Sequence, residues 1–248
     1  MNPKINDLKL VKAHDYCASR EAKLAAIFIH GIASDSSTFD KALEYLEKSE
    51  KMKDVRFVAF DLLGSGKSYK DDELNYDYKD QLTALHNSIQ SLKLNVPIIL
   101  VGHSMGTLIA TRYATKYKNS VRELILISPP IYTEDDLANP AFKAGMKLFR
   151  EAVSVKNHKI LGEKSFNNSM EKIVNNKKNY ATLTSLETPA VLIYGAQDQF
   201  IGSYNIPKLL KENPGRFTTI KTEGRHGVSR DKYTELFKVL EGALSEIS

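Results

Sequence analysis

The chain has 248 residues, 42% hydrophobic and 26% charged, with 35 Lys+Arg against 30 Asp+Glu. That length suits one large α/β domain or two small ones, and the apolar content excludes a disordered chain. One cysteine excludes an intrachain disulfide and a cysteine-based zinc cluster, and no apolar run reaches the roughly 18–20 residues of a membrane span.

In chain order, Met1–Asp7 lacks the apolar h-region of a signal peptide, so a cytoplasmic setting is expected. Leu8–Ala13 is a candidate edge strand. Leu24–Ile29, Val55–Phe60, Ile98–Val101, Leu124–Ile127 and Ala190–Tyr194 are short, continuously apolar runs. Strands of that kind are covered on both faces, as in a parallel sheet flanked by helices. Arg216–Lys221 alternates and predicts a last strand near the sheet edge. Helical periodicity fills the intervals at Phe39–Leu46, Tyr78–Leu92, Leu108–Tyr117 and Tyr233–Ile247. The alternation implies right-handed βαβ units: an α/β fold with a doubly wound, mostly parallel sheet and helices on both faces.

Between Pro130 and Thr188 the rhythm breaks. Phe142, Met146, Phe149 and Val153 form one apolar stripe; Phe166, Met170 and Val174 suggest another; Asn175–Asn179 is a polar connector. The expected organisation is a core of residues 1–130 and 188–248, with 131–187 inserted as a helical lid, or cap, before the acid-bearing strand. Its aromatic residues either line a pocket or pack the lid on the core.

The charge, +5 in total, does not point to nucleic acid. Basic residues are interleaved with acids, as in Lys48-Ser49-Glu50-Lys51, and no tract of five or six like charges occurs.

The chemistry concentrates in Gly102-His103-Ser104-Met105-Gly106, which joins a strand to a helix. A serine on so tight a turn has strained backbone, and side chains two residues to either side would collide, so glycines stand there. The turn also puts the hydroxyl at the positive end of the following helix. Of six histidines, His226 in Glu223-Gly224-Arg225-His226-Gly227 follows the last strand. Asp198 follows the strand Ala190–Tyr194. Ser104, Asp198 and His226 thus each sit on a loop at the carboxyl end of a strand, in the order nucleophile, acid, base. His30-Gly31-Ile32 ends the strand Leu24–Ile29, so the amides of Ile32 and Met105 can converge as an oxyanion hole. Phe200, Ile201 and Val228 flank the acid and base as pocket walls, alongside Phe142, Met146 and Phe149. Asp61-Leu62-Leu63-Gly64-Ser65-Gly66-Lys67-Ser68 ends like a phosphate-binding loop but has Asp61 where that motif requires glycine.

The set His30-Gly31, Asp61-x-x-Gly64-x-Gly66-x-Ser68, Gly102-x-Ser104-x-Gly106, Gly195-x-x-Asp198 and His226 resembles the α/β-hydrolase fold superfamily over nearly the whole chain. The resemblance implies Ser104 as nucleophile, His226 as general base and acid, Asp198 as its orienter, and no cofactor or metal. It implies a serine hydrolase acting on a small to medium, largely apolar carboxylic ester through an acyl-enzyme. C–C bond hydrolases, cofactor-free perhydrolases and weakly catalytic receptors share the scaffold and remain open, as does the oligomeric state. Two positions depart from many relatives: Thr107 replaces a second glycine after the elbow, and Arg225 precedes the base.

Overall fold

The computed structural model describes residues 7–19, 21–157, 162–226 and 233–247. In chain order the elements are β1 (Val11–Tyr16), β2 (Leu24–Ile29), α1 (Asp40–Glu47), β3 (Val55–Asp61), α2 (Tyr78–Ser91), β4 (Ile98–His103), α3 (Met105–Lys116) and β5 (Glu123–Ile127). There follow α4 (Glu134–Ala138), α5 (Pro140–Asn157), α6 (Glu163–Ser169) and α7 (Asn179–Thr184), then β6 (Ala190–Gly195), α8 (Ile206–Glu212), β7 (Phe217–Thr222) and α9 (Tyr233–Ile247).

The seven strands form one sheet in the order β1-β3-β2-β4-β5-β6-β7. Among the described residues, only β1 runs antiparallel to its neighbour and every other pairing is parallel. The strand order reverses at β2, the place where the carboxyl ends of a doubly wound sheet diverge and leave a crevice.

Continuous apolar runs follow from the two-sided cover. In β5, Leu124 and Leu126 face the cluster under α2, α3 and the inserted helices, while Ile125 and Ile127 face the opposite cluster under α1 and α9. β4 and β6 divide in the same way: Leu100 and Leu192 lie on one face, and Val101 and Ile193 on the other.

Several boundaries move, each for a local reason. The predicted first strand Leu8–Ala13 is displaced to Val11–Tyr16, because Leu8 and Leu10 are buried before pairing starts. There the Leu10 N–H donates to Ser88 Oγ at 2.7 Å rather than to a strand. β1 then carries a register shift between Lys12 and His14. α3 begins at Met105 rather than Leu108, because its first turn is built on the glycine elbow and has no apolar period.

The segment between β5 and β6 is helical, as expected. The second stripe does not stay α-helical: after α6 the chain widens into one π turn, Met170–Val174, which buries Met170, Ile173 and Val174. These residues, with Phe166 and Leu183, join the same hydrophobic cluster as the sheet face. Val153 lies where side chains are outside the described residues. The expected connector at Asn175–Asn179 is not merely polar spacer. Asn179 is buried, accepts from Tyr78 Oη at 2.6 Å and donates through Nδ2 to Ile173 O at 2.7 Å. Among the described residues no helix is long and apolar enough to cross a membrane.

The tightest approach in the fold lies where α3 leaves the sheet. A Cβ on Gly106 would stand 2.0 Å from Ile29 O in β2, a backbone atom that cannot rotate away. Gly106→Ala is therefore expected to cost about 1–3 kcal/mol as α3 is forced off the sheet. The check is the urea midpoint at constant slope; an unchanged midpoint would mean that the helix shifts freely.

Candidate active site

Ser104 is the turning point between β4 and α3, with φ 50° and ψ −120°. A non-glycine residue at positive φ is strained, and the surrounding structure must hold it there. The Ser104 N–H donates to Ile127 O at 2.9 Å, and its carbonyl accepts from the Thr107 N–H at 2.9 Å and Thr107 Oγ1 at 2.6 Å. Thr107, the departure from the family pattern, thus adds a side-chain hydrogen bond to the elbow. A Cβ on Gly102 would meet Gly106 C and O at 2.7 Å, which is why both flanking positions are glycine.

The acid and base arrive on adjacent loops. Gly195, closing β6, lies against the loop after β7 so closely that a Cβ would fall 2.2 Å from Gly224 O. The Ala196 N–H donates to Thr222 O at 2.7 Å and the Gln197 N–H to Gly224 O at 3.1 Å. The two loops are thereby stitched together just before Asp198 and His226. Asp198 Oδ2 lies 2.9 Å from His226 Nδ1, and His226 Nε2 lies 3.1 Å from Ser104 Oγ. The second carboxylate oxygen of Asp198 accepts the Phe200 N–H at 2.9 Å. The Asp198 side chain is fully shielded from solvent while that of His226 is 21% exposed. A carboxylate only accepts, so Nδ1 carries the proton and the Nε2 lone pair faces the serine hydroxyl.

The loop after β2 is locked from behind by His30. Its Nε2 accepts the Leu62 N–H at 2.9 Å, which fixes the proton on Nδ1, and Nδ1–H donates to Gly31 O at 2.8 Å. Burial lowers the pKa of this wholly buried ring, keeping it neutral. A Cβ on Gly31 would come 3.1 Å from Ser104 Cβ, so this loop presses on the nucleophile. Ile32 is half-buried and Met105 is buried.

The Asp61–Ser68 turn is organised around its own carboxylate. Asp61 Oδ1 accepts the Ser36 N–H and Oδ2 the Lys67 N–H, each at 2.9 Å. Burial alone would raise this carboxyl, but the amides of Lys67 and Ser36 outweigh it and hold its pKa below the usual range. A Cβ on Gly66 would lie 2.2 Å from Asp61 Oδ2, so the glycine makes room for the carboxylate. Amides that would cradle a phosphate are already spent: that of Lys67 on Asp61, of Leu62 on His30 Nε2, of Leu63 on Gln81 Oε1 and of Gly64 on Tyr69 O.

Pocket residues divide. Phe200 sets its ring edge-on to His226 with centroids 5.8 Å apart, and Phe149 of α5 packs on Phe200 at 5.4 Å. Phe142 instead meets Tyr132 at 4.7 Å, and with Met146 it lines a separate cavity. Ile201 is not a pocket wall: it is fully buried, and its carbonyl accepts the Ile131 N–H at 2.7 Å. Val228 lies outside the described residues. Arg225 is exposed.

Sequence reasoning missed two neighbours. Tyr132, whose hydroxyl donates to Phe200 O, left no pattern in the chain. His103, the residue before the serine, has its ring 5.5 Å from that of His226, with both nitrogens buried and unpartnered. Burial, then the neighbouring His226, lowers its pKa to about 3, so it stands as a neutral ring beside the base.

With the fold and this cluster in view, the known proteins it resembles become informative. Residues 27–169 match the alpha/beta hydrolase fold family, and the chain belongs to that family. It is 29% identical over 135 residues to a probable lysophospholipase, BODYGUARD 2, of Arabidopsis thaliana, covering 54% of this chain and 29% of that one. The chain thus spans under a third of the length of that relative. Among solved structures, a carboxylesterase study of Nitrososphaera gargenis gives a TM-score of 0.73 at 17% identity, covering 94% of this chain and 93% of that one. A monoacylglycerol lipase of Paleococcus ferrophilus gives 0.69 at 18% identity, covering 97% of this chain and all of that one, 100%. At these identities the structural likeness establishes the shared fold.

Two buried neutral histidines make stability sensitive to acid. The folded pKa of each lies below the ordinary value near 6.5, so the unfolded chain binds more protons as pH falls beneath that value. Their contribution is intact above about pH 6.5 and is lost progressively on acidification below it. His103→Asn is expected to remove about one proton from that slope, measured by urea unfolding at pH 7, 6 and 5. An identical slope in the variant would refute a neutral His103.

Proposed function

We propose that the protein is a serine hydrolase that cleaves a small to medium, largely apolar carboxylic ester in two steps. The observation that carries this reading is the continuous relay from Asp198 Oδ2 through His226 to Ser104 Oγ, with separations of 2.9 and 3.1 Å.

In the first step His226 Nε2 takes the Ser104 proton while Oγ attacks the ester carbonyl. The imidazolium that forms is stabilised by Asp198, whose remaining oxygen is held by the Phe200 amide. The amides of Ile32 and Met105 are assigned to the tetrahedral oxyanion, supported by the pressure of Gly31 on Ser104 and by the place of Met105 at the first turn of α3. His226 then protonates the departing alcohol. In the second step it activates water against the acyl-enzyme, and Ser104 leaves as it regains its proton. No cofactor enters either step.

Phe200, edge-on to His226, and Phe149, tilted against Phe200, support an apolar portion of the substrate. Residues 131–187 are assigned the part of a lid. The likeness to a probable lysophospholipase and to a monoacylglycerol lipase supports the same bond type.

A fluorophosphonate is expected to label the wild type and not Ser104→Ala; an unlabelled wild type would overturn the hydrolase reading. Asp198→Asn is expected to slow p-nitrophenyl ester turnover by about 10⁴-fold, because the wrong tautomer is then favoured at His226. Near-normal turnover in that variant would exclude Asp198 as the orienting acid. Many turnovers per protein molecule separate an enzyme from a receptor that stalls at the acyl stage.

A further inference from the structure

A cavity of about 300 Å³ lies on the inserted segment, between α5 and the π turn. That volume is at the small end of the range for small-molecule sites, roughly 300–1,000 Å³. Its apolar wall is Leu137, Phe142, Met146 and Met170, the last only 2% exposed. The two thioethers are flexible and polarizable, and shape themselves to an alkyl chain.

The rest of the lining is cationic. Lys143, Lys147, Arg150 and Lys177 all border the cavity, and among the described residues no acidic side chain lines it. Three of these charges come from α5 at spacings that bring them to one side of the helix. Arg150 is already oriented: its Nε and Nη2 both donate to Asn167 Oδ1, at 3.1 and 2.5 Å. At the same wall, Asn175 Oδ1 is buried without a hydrogen-bond partner.

These features converge on one ligand chemistry. The four cations are solvent-exposed, so together they draw an anion to the mouth of the cavity, and an anion beside an apolar wall needs a hydrocarbon portion to fill it. We propose that this cavity binds a short single-chain amphiphile with an anionic head group, its alkyl chain on Phe142, Met146 and Met170 and its head among Lys143, Lys147 and Lys177. At about 30 Å³ per atom, as in liquid water, the space holds about ten non-hydrogen atoms. Octanoate is of that size. None of Ser104, Asp198 and His226 lines the cavity, and the proposal does not depend on the hydrolase reading.

The test is calorimetric titration of the full chain carrying Ser104→Ala, so that no turnover intrudes. Octanoate, octyl phosphate and octanol are the probes. The two anions are expected to bind at least tenfold tighter than octanol, and to weaken as salt is raised. Preference between them identifies the head group as carboxylate or phosphate. The double change Lys143→Gln and Lys147→Gln is expected to weaken octanoate binding at least tenfold, whereas Lys238→Glu, on the exposed side of α9, leaves it unaltered. Met146→Gln, which makes the apolar wall polar, is expected to weaken octanoate and octanol alike, whereas the double lysine change weakens only the anion, which separates the wall from the head-group site. Octanol binding as tightly as octanoate, no detectable octanoate binding, or an unaltered affinity in the double variant would each overturn the proposal.

Discussion

Helix α3 is held against the sheet at a distance that only glycine permits, and the candidate site is organised by that contact. Gly102 and Gly106 let the chain reverse within one residue, and Ser104 takes the positive φ that results. Its hydrogen bonds to Ile127 and Thr107 oppose relaxation of that strain. Because Gly106 touches Ile29 O, the same contact sets the height of the loop that follows β2, and so the position of Gly31 against the serine. One close approach therefore fixes the nucleophile and its neighbouring loop together.

The other half of the cluster is positioned by a different device. Asp198 and His226 owe their separation to the parallel pairing of β6 with β7, extended past the strand ends by the Ala196 and Gln197 amides. Gly195 allows this extension by leaving room for Gly224 O. Around the whole, His30 and Asp61 spend their polar atoms on backbone groups of neighbouring loops. They make the loop ends rigid, which a reacting site requires more than the strands themselves do.

How much of this was legible in the sequence depended on the kind of signal. β2 was readable to the residue, because full burial on both faces leaves an unbroken apolar run with a sharp end. Ser104 and Asp198 were readable because each stands in the loop after such a run, and His226 because it stands in the loop after the last, alternating strand. Position β1 was not: Leu8 and Leu10 are apolar for reasons of packing rather than pairing. Ile201 looked like a pocket wall because it follows the acid, yet its burial is complete and its carbonyl serves Ile131. Asn179 looked like a linker residue because asparagine is usually one; its three polar contacts come from residues distant in sequence, or from a helix turn that no period announces. Tyr132 and His103 were hidden for the same reason, since their neighbours are set by tertiary packing alone.

The inserted segment has a consequence for how the molecule could be remodelled. Phe166, Met170, Ile173, Val174 and Leu183 belong to the same apolar cluster as Leu100, Leu126 and Ile109. The segment is thus no detachable module set upon a finished core: excising it would bare the sheet face that it covers and forfeit burial on both sides of the cut. In a lineage that exchanges such insertions, a replacement must first supply the lost hydrophobic cover, and only then a new specificity.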